Sequence, residues 1–146
     1  MHRILFVCHG NICRSPMAEI VLRSMAEQRG ISDRFEIDSA ATSMEEYGHT
    51  IYPPARAVLL ENGYPCPMHR ARLITKEDYR HFDRIYIMDE RNRQNILRLL
   101  GGDPDKKIEK LLCDRDVEDP YYSDRYDLVM RDIKEGCKRI LEMFDL

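Results

Sequence analysis

Ile4-Leu5-Phe6-Val7-Cys8-His9-Gly10-Asn11-Ile12-Cys13-Arg14-Ser15-Pro16 decides the fold of this chain. The run Ile4–Val7 is short, apolar and β-branched or aromatic at three of its four positions, which reads as a buried strand. Ser15 suits a helix N-cap and Pro16 a first helical position, so a helix is expected to open there. Between strand and helix lies a loop whose backbone N–H groups converge, and the helix dipole adds positive potential at the same spot. Arg14 brings a planar, permanently charged fork suited to two oxygens of one phosphate. A cysteine set there is expected as a thiolate nucleophile facing an oxyanion cradle. The chemistry implied is transfer of a phosphoryl group to sulfur.

Cys-x5-Arg spacing alone is weak, and the chain contains a decoy at Cys66–Arg72. The decoy follows Gly63-Tyr64-Pro65, which breaks structure instead of ending a strand, and no helix cap follows it. It also lacks a glycine that would let the backbone curl around an anion. Context favours Cys8.

Working outward, apolar residues Ala18, Val21, Leu22, Met25 and Ala26 share one helical face that ends at Gly30. Phe35–Asp38 reads as a second strand. Pro53-Pro54 opens a second helix closed by Gly63. Asp83–Met88 alternates as a third strand, and Glu90–Leu100 is a helix stopped by Gly101-Gly102. Ile108–Leu112 is a candidate fourth strand, and a last helix buries Val129, Ile133, Cys137, Ile140, Leu141 and Phe144. Strands alternating with helices imply an α/β fold, a parallel sheet with right-handed crossovers. Its ligand site belongs beyond the carboxyl ends of the strands, where the Cys8 loop lies.

At 146 residues, with no linker or repeat, residues 1–146 are expected to form one domain. Apolar residues are 43% and charged residues 34%, which excludes disorder as the default. A net charge of -3 argues against general nucleic-acid binding. The apolar runs are too short to span a membrane, and the start of the chain is no signal peptide. Five cysteines without a framework pattern suggest free thiols and a cytoplasmic address. A zinc site from Cys8, His9 and Cys13 is disfavoured because Cys-x4-Cys is not a tetrahedral ligand spacing, so no metal or cofactor is expected.

Phosphate-ester hydrolysis needs an acid for the leaving oxygen. Asp119-Pro120-Tyr121-Tyr122 follows the fourth strand and precedes the last helix, so Asp119 is topologically available. Pro120 restricts Asp119 to an extended conformation, and the two tyrosines would wall a pocket for an aromatic ring.

Together these segments resemble the low-molecular-weight protein tyrosine phosphatases. The likeness runs through Val7–Pro16, Asp38–Ser43, Thr75–Asp78 and Met88–Glu90 to Asp119–Tyr122, almost the whole chain. It implies a four-stranded parallel sheet flanked by helices on both faces, with the phosphate-binding loop after strand one. It implies that Cys8 attacks phosphorus, that Arg14 and the loop from His9 through Gly10, Asn11, Ile12 and Cys13 to Ser15 hold the phosphate, and that Asp119 is the general acid. The phosphate leaves as inorganic phosphate, and the partners are phosphotyrosine proteins or peptides. Ser15 would donate to the Cys8 sulfur. Asn11, in an unusual backbone conformation, would brace the loop with Ser39 and His69. Cys8 and Cys13 would form a reversible disulfide under oxidation.

Relatives of the same fold offer alternatives. Arsenate reductases need two further cysteines seven positions apart, and no two of Cys66, Cys113 and Cys137 have that spacing. Protein-arginine phosphatases carry Thr where this chain has Ile12, an apolar floor that suits a phenyl ester. A phosphocysteine carrier of a sugar-transport relay has little need of Arg14 and none of Asp119. One departure concerns the pocket wall. Glu45 stands where the family usually has Trp or Tyr, so Tyr47 or Tyr52 is expected to form that wall, or the wall is partly acidic.

Overall fold

The computed structural model of the chain describes residues 1–144. Strand β1 (His2–Cys8) runs into helix α1 (Arg14–Gln28) through the five-residue loop His9–Cys13. A 3-10 turn (Ser32–Arg34) leads into β2 (Phe35–Ala41), and α2 (Pro53–Glu61) follows a long loop. Then come α3 (Lys76–His81), β3 (Arg84–Ile87), α4 (Glu90–Leu100) and β4 (Ile108–Lys110). The short α5 (Pro120–Ser123) and the long α6 (Tyr126–Phe144) close the chain.

The four strands form one sheet in the order β2-β1-β3-β4, and every pairing is parallel. Side-chain alternation along β1 splits the interior in two. Ile4, Phe6 and Cys8 join the core built with α1, α2 and α6. Leu5 and Val7 face the other way, into a core with Tyr79 of α3 and Ile96 of α4. Both faces are therefore covered, which is why β1 reads as an unbroken apolar run.

The register sets Phe6 opposite Ser39, Cys8 opposite Ala41 and Val7 opposite Ile87. The carboxyl ends of the adjacent strands β2, β1 and β3 thus present Thr42, Cys8 and Met88-Asp89 at one end of the sheet.

Three expectations change in detail. Helix α1 begins at Arg14, one residue before the expected cap, with Cys13 as N-cap and no side-chain capping bond. Ser15 is not a cap: its hydroxyl turns to Cys8 instead. Pro16 is then the third helical residue, where its missing N–H would have had no intrahelical acceptor. Strand β2 extends to Ala41, and β4 stops at Lys110. Helix α3 is an element the apolar pattern did not suggest, because only its Tyr79 is buried. Its start is fixed by a capping box in which Thr75 and Asp78 satisfy each other's backbone N–H groups. Among the described residues no helix is long and apolar enough to cross a membrane.

Candidate active site

Cys8 is the last residue of β1 and is almost fully buried, at 3% exposure, so only its sulfur reaches the floor of the cleft. Three donors surround that sulfur. The Asn11 N–H lies 3.3 Å away, the Ser15 N–H 3.4 Å and the Ser15 hydroxyl 3.0 Å. The Ser15 N–H is one of the orphan donors of the first turn of α1, so starting the helix at Arg14 aims it at sulfur.

The loop is held from inside by Asn11, which is fully buried and sits at φ 60°, a left-handed conformation that Asn tolerates. Its Nδ2 donates to Ser15 Oγ at 2.7 Å, and its Oδ1 accepts the Arg72 N–H at 3.2 Å. With one Ser15 lone pair taken, the hydroxyl proton is directed to the sulfur at 3.0 Å over the Ala40 carbonyl at 3.5 Å. Amide, side-chain amide and hydroxyl therefore form one polarised chain ending on Cys8.

His69 Nε2–H donates to the Asn11 carbonyl at 2.7 Å, as the bracing role requires. Ser39 takes a different partner from the one expected. Its hydroxyl donates to Glu19 Oε1 at 2.6 Å and makes no bond to Asn11. On β2, opposite Phe6, it stands beside α1, so Glu19 and not the loop lies within reach. Burial pushes the Glu19 carboxyl above its ordinary range, against the pull of the Ser39 hydroxyl and Arg23.

Arg14 is 2% exposed. Its Nη1 donates to Asp89 Oδ2 at 2.6 Å and to the Val117 carbonyl at 2.8 Å, and its Nη2 lies 3.4 Å from Asp119 Oδ2. Burial disfavours the guanidinium charge, but Cys8, Asp89 and Asp119 outweigh it and hold the group above its usual range. Asp89 is the residue the sequence reading missed. It caps α4 directly after β3, and its position at the carboxyl end of a strand beside β1 was the available signal.

Asp119 caps α5 by accepting the Tyr121 N–H on Oδ1 at 3.1 Å. Its other oxygen faces Arg14 and the cleft. Cys8, the loop from His9 to Arg14, Asp119, Tyr121 and Tyr122 line one pocket. Tyr121 and Tyr122 pack edge to face at 5.2 Å, and Tyr52 supports Tyr121 from behind at 5.6 Å. Ile12 is on the lining as expected.

Tyr47 is not on it. The turn from Met44 leaves Tyr47 60% exposed and turns Glu45 and Glu46 to the pocket, so the wall is acidic. Cys13 lies behind the loop, buried, and burial together with the charges of Cys8 and Asp119 pushes its thiol up to about 12. At Cys66–Arg72 there is no anion loop: Arg72 is taken by Asp38 and Asp78, and Cys66 packs on the core.

A cysteine on an amide-lined loop, an arginine fork and a carboxylate at one mouth define a thiol-based phosphoryl-handling site on a parallel α/β sheet. Residues 3–145 match the model of the family described as low molecular weight phosphotyrosine protein phosphatase. A low molecular weight phosphotyrosine protein phosphatase of Dictyostelium discoideum is 42% identical over 84% of this chain and 80% of its own. The structure of YfkJ from Bacillus subtilis superposes with a TM-score of 0.94 at 32% identity, covering 99% of this chain and 95% of that one. A Drosophila arginine phosphatase structure gives 0.86 at 30% identity, covering 98% of each chain. This chain belongs to the low molecular weight phosphotyrosine protein phosphatase family.

Proposed function

We propose that this enzyme hydrolyses phosphotyrosine in proteins or peptides, and small aryl phosphates, with Cys8 as nucleophile, Arg14 as phosphate clamp and Asp119 as general acid. The observation that carries the assignment is the set of three donors on the Cys8 sulfur at the floor of a cleft whose lining includes Asp119.

The Cys8 thiolate attacks phosphorus in line as the aryl P–O bond breaks. Arg14 and the loop amides from His9 to Ser15 stabilise the three non-bridging oxygens, and they do so without reorganising. Asp89 and the Val117 carbonyl occupy one Nη of Arg14, which fixes the plane of the fork toward the cleft. Asp119 gives its proton to the departing phenolate. The resulting carboxylate takes a proton from water as that water attacks phosphorus, the S–P bond breaks, and inorganic phosphate leaves. Ser15 stabilises the sulfur both as nucleophile and as leaving group.

Ile12 and the Tyr121–Tyr122 wall favour a flat phenyl ring over a charged guanidinium, which supports phosphotyrosine over phosphoarginine. Cys13 is a buried thiol that, once a peroxide has oxidised Cys8 to the sulfenic acid, would attack that sulfur to form the disulfide and release water. Five free cysteines fit a reducing compartment, and the cytoplasm is the proposed address. The test is turnover of phosphotyrosine, phosphoserine and phosphoarginine peptides side by side, with Cys8→Ser as control. Phosphotyrosine should be preferred, and Cys8→Ser should bind phosphate without turnover. Preference for phosphoarginine, or retained turnover in Cys8→Ser, contradicts the proposal.

A further inference from the structure

The charged side chains lining the pocket are unevenly placed. Arg14 is buried at the floor and is engaged by Asp89 and Asp119. Toward the mouth stand Glu45 and Glu46, and the lining contains no lysine.

These two glutamates are held in position by the backbone. Ser43 N–H donates to the His9 carbonyl at 3.1 Å, and Tyr52 N–H to the Ile12 carbonyl at 2.9 Å, so both ends of the segment hang on the cysteine loop. Glu45 N–H donates to Ser43 Oγ at 3.0 Å, which closes the turn. Glu46 packs against Gly10, where a β-carbon would sit 3.3 Å from its Cγ, so glycine allows the carboxylate close to the loop. His9 and His49 pair with Glu45 and Glu46 at 3.1 and 2.6 Å.

During attack Asp119 carries its proton, and the phosphate dianion lies on Arg14 at the floor. The standing charges on the Ser43–Gly48 side of the rim are then Glu45 and Glu46, while Arg91 lines the adjoining groove past Asp119 and Tyr122. A substrate ring reaches the floor, and residues flanking it in an extended peptide advance about 3.3 Å each, so a long flanking side chain reaches the rim.

We propose that Glu45 and Glu46 select phosphotyrosine sites flanked by lysine or arginine, an inference that rests on the phosphotyrosine assignment above. The side chain of Glu45 is 70% exposed and that of Glu46 33%, so the Glu45 contact in particular is a solvated ion pair, modest in strength and sensitive to salt.

The experiment uses three phosphotyrosine peptides that differ only in carrying Arg, Ala or Glu on both sides of the phosphotyrosine. The native enzyme should favour Arg over Glu flanks in kcat/KM by about tenfold at low ionic strength, the scale of a few exposed charge contacts. In about 1 M salt, where the screening length is about 3 Å, the ratio should fall toward unity. Glu45→Gln should reduce it about threefold, and Glu45→Gln with Glu46→Gln should abolish it. Because Glu46 also packs on Gly10, the exposed Glu45→Gln variant keeps the test open if the double variant fails to fold. Equal turnover of all three peptides, or a ratio unchanged in Glu45→Gln, overturns the inference and leaves the phosphatase assignment standing. Failure of the native enzyme to turn over any of the peptides contradicts the assignment itself.

Discussion

Asn11→Ala isolates the brace of the cysteine loop. It removes two side-chain hydrogen bonds, to Ser15 Oγ and from the Arg72 N–H, at about 1 kcal/mol each. It also puts a β-carbon without a local hydrogen-bonding group at φ 60°, which costs about 1–2 kcal/mol more. The expected loss of stability is about 3–4 kcal/mol. Asn11→Gly accepts the left-handed backbone and loses the same two bonds, with a smaller entropic cost of about 0.5–1 kcal/mol. It should be destabilised by about 2.5–3 kcal/mol. For a chain of this length the Ala variant should melt about 10 °C lower. Urea unfolding with matched slopes gives both values, and kcat below the transition reports the loop. A loop misplaced by about 1 Å should cost about a hundredfold in kcat. An Ala variant within about 1 kcal/mol of the native protein, or one more stable than the Gly variant, refutes the assigned role of this brace.

Asp119→Ala should slow aryl phosphates with poor leaving groups by about 10²–10⁴ and p-nitrophenyl phosphate far less, and an equal loss for both would exclude Asp119 as the acid. Burial pushes the Asp78 carboxyl up, but the Arg72 guanidinium and the Thr75 cap outweigh it and hold Asp78 below the usual carboxylate range. Its stabilising contribution is therefore present above about pH 4 and is lost as pH falls through the lowered value. Asp78→Asn should cost about 1–2 kcal/mol near neutrality and little at low pH, which denaturant midpoints across pH will show. Gly136→Ala would set a β-carbon 2.4 Å from Leu111 Cγ, a buried neighbour. The gain in helix propensity, about 1 kcal/mol, should lose to an overpacking cost of about 1–3 kcal/mol, visible as a lower melting temperature.

The strand, loop and helix around Cys8 were legible because three local signals agree there: an apolar run buried on both faces, a short polar loop and a helix-opening Ser-Pro. Helix α4 was equally legible, since Gly101 ends it in a left-handed conformation. Helix α3 was not, because a six-residue polar helix with one buried residue has no apolar period. The exact start of α1 escaped because Ser15 suits a cap but finds a better partner in the Cys8 sulfur, a contact set by the loop's closure.

In the site, Cys8, Arg14 and Asp119 could be picked by chemistry and chain order. The partners that hold them come from elements far apart in sequence. Asp89 on Arg14, Arg72 on Asn11 and Glu19 on Ser39 depend on the sheet order, which local patterns do not encode. The Tyr47 wall failed for a local reason. A turn between Met44 and Gly48 decides which of three adjacent side chains faces the cleft, and residue type favoured the aromatic one.

The transfer of phosphoryl to Cys8 is tested most directly by rapid acid quench of the enzyme with p-nitrophenyl phosphate, whose good leaving group scarcely needs the acid, followed by mass spectrometry of the peptide containing residues 4–14. One phosphoryl group on Cys8, accumulating further in Asp119→Ala because water is no longer activated, is the predicted result. A phosphoryl group on His9 or Cys13, or turnover that persists in Cys8→Ser, would contradict the account.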